Sequence, residues 1–228
     1  MIVGQQKPFE EILSSLEGYK SILILGCGTC VTVCLTGGEK EAQALARALG
    51  RSRADETPPL VVEVNTIERQ CERDWIEQFL NVPPDCQAIL SLACGAGVQT
   101  VADVYQGIPV IPALNTTFLG ALDKPGVWNE KCIGCGNCIL THTGGICPIA
   151  RCAKRLFNGP CGGSSRGKCE ISAVIGREVD CAWQQIIERL ATLGRLEDYG
   201  KLQPLKDWST ETGTGPRSLI HTIEMPTS

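Results

Sequence analysis

The sequence predicts an α/β fold in its first half, followed by a cysteine-rich, loop-dominated segment that closes on a helix. Three observations carry this expectation. Short apolar runs rich in strand formers alternate with helix-spaced stretches up to about residue 120. Eight of the 14 cysteines then crowd between Cys132 and Cys181 among many glycines, where apolar periodicity fades. Finally, DCAWQQIIERLATLG places Trp183, Ile186, Ile187 and Leu190 on one helical face. At 228 residues and 43% hydrophobic composition, the chain is able to bury a core as one large domain or two modest ones.

The elements follow in order. Residues 21–25 (SILIL) read as a strand, GCGTC as a loop, and 39–49 as a helix. PPLVVEV supplies a second strand ending near Val64, and NTIERQCERDWIEQFL has helical spacing through Ile67, Trp75, Phe79 and Leu80. AILSLACGAG gives a third strand and a glycine-rich loop, VQTVADVYQG a helix, and IPVIPAL a fourth strand whose prolines suit a sheet edge. The order βαβαβαβ implies a parallel sheet with right-handed crossovers, a small Rossmann-like domain over 1–120. Residues 121–208 form the cysteine-rich part, which needs bound metal to hold its loops together. The polar stretch 209–228 reads as a flexible tail or a docking arm.

The net charge of −4 and the 5% aromatic content argue against a phosphate-binding or base-stacking surface, so nucleic acid is a poor partner. The N-terminus lacks the basic start and apolar run of a signal peptide. No apolar run reaches the roughly 18 residues a membrane span needs. The expected location is the cytoplasm, where thiols stay reduced, and the cysteines therefore point to metal or redox chemistry in preference to disulfides.

In an open parallel sheet, ligands collect beyond the carboxyl ends of the strands. Cys27, Cys30 and Cys34 follow the first strand, Cys71 the second, and Cys94 the third. Four thiolates suffice for a 4Fe-4S cluster, with Cys27, Cys30 and Cys94 as three ligands and Cys34 or Cys71 as the fourth. Cys86 precedes the third strand and is read as structural. The G-x-G-x-x-G nucleotide pattern fails, because Val31 stands where its third glycine belongs.

Downstream, Cys132-Ile-Gly-Cys135-Gly-Asn-Cys138 repeats the ferredoxin spacing that wraps three corners of a cubane. The following Cys147-Pro148 comes after eight residues, where ferredoxins have three, so the fourth ligand is Cys147 or a later cysteine. Cys152, Cys161, Cys169 and Cys181 remain as a further four-coordinate set for a cluster or zinc. His142 lies among these cysteines but reads as a loop residue. No nucleophile-elbow sequence is present, and hydrolysis has no support.

The run CIGCGNCILTHTGGICPIARCAKRLFNGPCGGSSRGKCE, followed by DCAWQQIIERL, resembles the methylenetetrahydrofolate reductase C-terminal family. With GCGTCVTVCLTGGEKE, ERQCE and SLACGAGVQ, nearly the whole chain resembles the MetV-type accessory iron-sulfur subunit of bacterial reductases. The resemblance implies two 4Fe-4S clusters, or three, with zinc in some members. It also implies a partner subunit built as a TIM barrel that holds FMN and folate. Such a complex reduces 5,10-methylenetetrahydrofolate to 5-methyltetrahydrofolate in the one-carbon chemistry of the reductive acetyl-CoA (Wood-Ljungdahl) pathway. This chain would deliver the electrons, drawn from ferredoxin or an NADH-oxidising subunit, and would not be catalytic alone.

Overall fold

The structure, a computed structural model, describes residues 1–210 and 217–219. It divides into two compact units, Met1–Asn129 and Glu130–Ser228. Most of the expected tail lies outside the described residues.

In the first unit, β1 (Ile2–Gln6) and α1 (Phe9–Ser15) precede the expected parallel sheet. That sheet contains β2 (Ser21–Cys27), β3 (Val61–Ile67), β4 (Ala88–Leu92) and β5 (Val110–Pro112) in the spatial order β3-β2-β4-β5. All three pairings are parallel, and the proline-bearing β5 is at an edge, where its missing N–H costs no ladder bond. The crossovers run through α2 (Cys30–Val33), α3 (Glu39–Ser52), α4 (Arg73–Phe79) and α5 (Gly95–Val104).

The strand period of two sorts β2 between the two faces of the sheet. Ile22 and Ile24 join Ala42, Leu45 and Leu49 of α3 in one apolar cluster. Leu23 and Leu25 join Ile76 of α4 and Val101 of α5 in the other. A strand buried on both faces must read as a continuous apolar run, and SILIL does. The start of α3 is held by the Gly38 N–H, which donates to the Glu41 carboxylate at 2.9 Å.

Two parts of the sequence reading are corrected. The helical stretch expected through Ile67, Trp75, Phe79 and Leu80 is strand up to Ile67, a loop through Cys71, and helix only over Arg73–Phe79. Pairing of β3 with β2 continues to Cys27↔Ile67, so ladder bonds take the residues that helical periodicity had claimed. Ile76 is the fully buried anchor of α4, and Phe79 is exposed. A second, three-stranded sheet was also missed. It has the order β1-β6-β7, with β6 at Leu114–Lys124 and β7 at Val127–Cys132. Antiparallel β1–β6 pairing joins Ile2 to Leu119, a contact between distant segments with no local signature.

The second unit is built of short pieces: 3-10 turns at Leu140–Thr143 and Leu196–Gly200, α6 (Pro148–Arg151), the two-residue strands β8 (Ser164–Ser165) and β9 (Lys168–Cys169), α7 (Ile171–Ile175) and α8 (Ala182–Thr192). Its main apolar cluster is Trp183, Ile186 and Leu190, the expected face of α8. The Trp183 indole N–H donates to the Leu156 carbonyl at 2.9 Å.

Candidate functional site

All 14 cysteines are free thiols. Those of the first unit converge because of the strand order. Numbered among themselves, the parallel strands lie 2-1-3-4, so the chain reverses direction across the sheet beside β2, and a crevice opens there at the carboxyl ends. Cys27 ends β2, Cys71 follows β3, and Cys94 is the N-cap of α5 after β4. The Cys71 thiol is pushed above its ordinary pKa, first by desolvation and then by like charge from Cys27 and Cys94, which places the three sulfurs in one neighbourhood. Cys27 is buried, and its thiol points to the Glu68 carbonyl at 3.7 Å.

Cys30 opens α2, three residues from Cys27. Cys34 is buried and donates to the Ile2 carbonyl on β1 at 3.5 Å. Its pKa is raised chiefly by burial and further by Cys30. Of the two candidates for the fourth position, Cys71 stands with Cys27 and Cys94, while Cys34 is turned to β1. Cys86 is buried at the opposite end of the sheet, with its thiol donating to Ala88 at 3.2 Å.

The loop bearing Cys71 is bolted in place by a residue with no sequence signal of its own. Gln70 is fully buried, donates from Nε2 to the Leu25 carbonyl of β2 at 2.9 Å, and accepts from the Ser91 hydroxyl of β4 at 2.6 Å. Nearby, a Cβ on Gly37 would stand 2.2 Å from the Leu92 carbonyl oxygen, so only glycine lets the chain leaving α2 pass this close to β4.

In the second unit, Cys132, Cys135, Cys138 and Cys147 line one cavity of about 260 Å³. Gly134 (φ 68°) and Gly136 (φ 77°) take the left-handed conformation that lets CIGCGNC wrap a concave turn. The Gly134 N–H donates to the Cys132 sulfur at 3.3 Å, and the Ala150 N–H, in the first turn of α6, donates to the Cys147 sulfur at 3.5 Å. Two cations hold the outside of this loop: Lys206 Nζ donates to the Asn137 carbonyl at 2.7 Å and Arg217 to the Gly134 carbonyl at 3.1 Å. Neither cation was identifiable from its local sequence, because each lies some seventy or more positions from its partner.

A larger cavity of about 430 Å³ is lined by Cys152, Cys161, Cys169 and Cys181. The Gly163 N–H donates to the Cys161 sulfur at 3.4 Å. Lys154 is paired with Glu170, which raises its pKa, and the negative charge of Cys161 adds to the shift. His142 lines neither cysteine cavity and faces Phe157 and the stretch near Tyr199.

Among the described residues, no group of three or more His, Cys, Asp or Glu side chains is gathered tightly enough to grip a single metal ion. Among them too, no helix is long and apolar enough to cross a membrane. No curated protein and no solved structure matches the chain. A family model described as methylene-tetrahydrofolate reductase C terminal does match, over residues 111–209, a span that takes in both cysteine cavities of the second unit. Residues 111–209 are therefore similar to the C-terminal part of methylenetetrahydrofolate reductase.

Proposed function

We propose that this protein is a cytoplasmic, MetV-type iron-sulfur subunit that delivers electrons to the FMN of a TIM-barrel methylenetetrahydrofolate reductase subunit, for reduction of 5,10-methylenetetrahydrofolate to 5-methyltetrahydrofolate. Ferredoxin or an NADH-oxidising subunit supplies those electrons. The observation that carries the reading is the grouping of free cysteines: four around the Cys132–Cys147 cavity, and Cys27, Cys71 and Cys94 at adjoining strand ends, with Cys30 three residues along the chain from Cys27.

The donor set fits 4Fe-4S clusters. A cubane interposes its own iron and sulfide between the thiolates and so keeps them farther apart than a single ion does, in keeping with cysteines that ring a void. When bound, such clusters carry single electrons. The chain's own groups do the rest. Cys132, Cys135, Cys138 and Cys147 hold one cluster, and Cys27, Cys30, Cys71 and Cys94 hold another. Backbone N–H groups directed at the Cys132 and Cys147 sulfurs stabilise negative charge there, as hydrogen bonds to cluster sulfurs do in general. Lys206 and Arg217 keep the first of these loops in shape and add positive charge near it.

The test is iron, zinc and acid-labile sulfide content of anaerobically purified protein, with electron paramagnetic resonance after reduction and flavin bleaching in the presence of the partner. Eight or more irons per chain with matching sulfide, and bleaching that depends on this chain, support the reading. Zinc without iron would replace it with a zinc-stabilised scaffold of the same complex.

A further inference from the structure

We propose that a row of exposed apolar side chains after α8, formed by Leu193, Leu196, Tyr199, Leu202, Leu205 and Trp208, is the surface on which the flavin-bearing reductase subunit docks. The choice of partner rests on the function proposed above, whereas the surface itself follows from how residues 193–208 are held.

The row repeats at every third position without a break. Leu193 caps the end of α8, and Leu196 and Tyr199 stand in the 3-10 turn Leu196–Gly200, where side chains three apart eclipse. Leu202 and Leu205 follow in irregular chain and are 84% and 95% exposed, and the other four lie between 39% and 48%. A single exposed leucine is ordinary, but six large apolar groups in one series are not.

The polar residues between them are turned the other way. Asp198 is buried and accepts from Arg195 at 2.8 Å and from Lys201 at 2.6 Å. Both backbone groups of Gln203 are taken by Asn158: the Gln203 N–H donates to Oδ1 at 2.8 Å, and Nδ2 donates to the Gln203 carbonyl at 3.0 Å. Lys206 is buried, with Nζ donating to the Asn137 carbonyl at 2.7 Å. A segment that faced only water would carry its charges outward and its leucines inward. Here the inward hydrogen bonds fix the reverse arrangement, and rolling the leucines under would break them.

Area and position select the occupant. The six side chains leave roughly 600 Å² uncovered, as much as the largest apolar patch of an ordinary monomer. A standard interface buries about 800 Å² per partner, of which little more than half is apolar. The row exceeds that apolar share by itself and so suits a permanent subunit, whereas transient redox encounters are smaller. The segment also borders the first cysteine cavity of its unit. Pro204, Leu205 and Lys206 line one hollow together with Asn137 and the exposed Cys138. A subunit seated on Leu202 and Leu205 therefore stands beside the CIGCGNC turn, where an electron acceptor belongs.

The experiment co-purifies the full chain with the flavin subunit under anaerobic conditions and measures the dissociation constant, iron content and flavin bleaching. Leu202→Glu combined with Leu205→Glu is expected to keep the iron content and melting temperature of the wild type, because both side chains are solvent-exposed in the free chain. Its affinity for the flavin subunit should fall at least about 100-fold, since docking would bury two unpaired carboxylates, and bleaching should fall with it. Leu202→Met combined with Leu205→Met restores binding. Undiminished binding by the glutamate variant overturns this surface and leaves the function standing. Loss of self-association in the isolated glutamate variant, with flavin-subunit binding intact, also overturns it and assigns the row to a second copy of the chain. A wild-type chain that binds the flavin subunit through the row but holds no iron overturns the electron-transfer function and keeps the surface. A wild-type chain that does not bind the flavin subunit overturns both.

Discussion

Cys34 and Cys71 show how much depends on where one sulfur points. Both are thiols near the carboxyl end of a parallel strand, but Cys34 is buried with its hydrogen bond made to β1, whereas Cys71 feels the charge of Cys27 and Cys94. If Cys71 is the fourth ligand of the first unit, Cys71→Ala loses about four irons per chain, and Cys34→Ala keeps them at a stability cost of about 1 kcal/mol for the emptied volume. Iron assay and denaturant melts on the two variants separate these outcomes, and iron loss from Cys34→Ala alone would reverse the assignment. Gln70 is the structural counterpart. Gln70→Leu strands the Leu25 carbonyl and the Ser91 hydroxyl in a dry interior, at about 1–3 kcal/mol for each group left unpaired. A midpoint shift in urea measures this cost, and no shift would mean that the loop is held by other contacts.

At the scale of elements, α3 is tied at its end as firmly as at its start. The buried Arg53, at its C-cap, donates to the Leu16 and Tyr19 carbonyls after α1 and to Glu56. Hydrogen bonds from Arg53 and then Lys20 hold the Glu56 carboxyl down to about 2, against an ordinary value of 4.5. Because the folded pKa lies below the unfolded one, the stabilisation is complete above pH 4.5 and is lost as pH falls through about 2. Glu56→Gln should therefore narrow the gap between melting temperatures measured at pH 7 and at pH 2.5. An unchanged gap would assign acid sensitivity to other carboxylates.

The two units of the molecule differ in what holds them. The first has two apolar clusters, one on each face of a parallel sheet, and their burial is its main source of stability. The second packs a small cluster around Trp183 beneath loops whose cysteines ring two cavities. Domains with so little core depend on staples or bound metal. Stripping metal with a chelator under reducing conditions should accelerate amide hydrogen exchange through residues 130–208 and leave β2, β4 and α3 protected. Uniform protection after metal removal would show that the second unit stands on its own contacts.

The sequence by itself determined whatever depends on neighbours close along the chain. SILIL and AILSL are buried strands because both faces of the sheet are covered. CIGCGNC is a tight cysteine turn because two glycines accept positive φ. Ile186 and Leu190 fall on one face of α8 because the helix repeats every 3.6 residues. Only the tertiary structure decided the rest. Pairing of β1 with β6, the company of Cys71, and the common cavity of Cys152, Cys161, Cys169 and Cys181 each join segments far apart in sequence. Spacing is informative only within a turn or two of chain. Beyond that, strand order and loop closure choose which thiols meet, and in the stretch up to Ile67 the ladder with β2 overrode a helical periodicity that was present but not used.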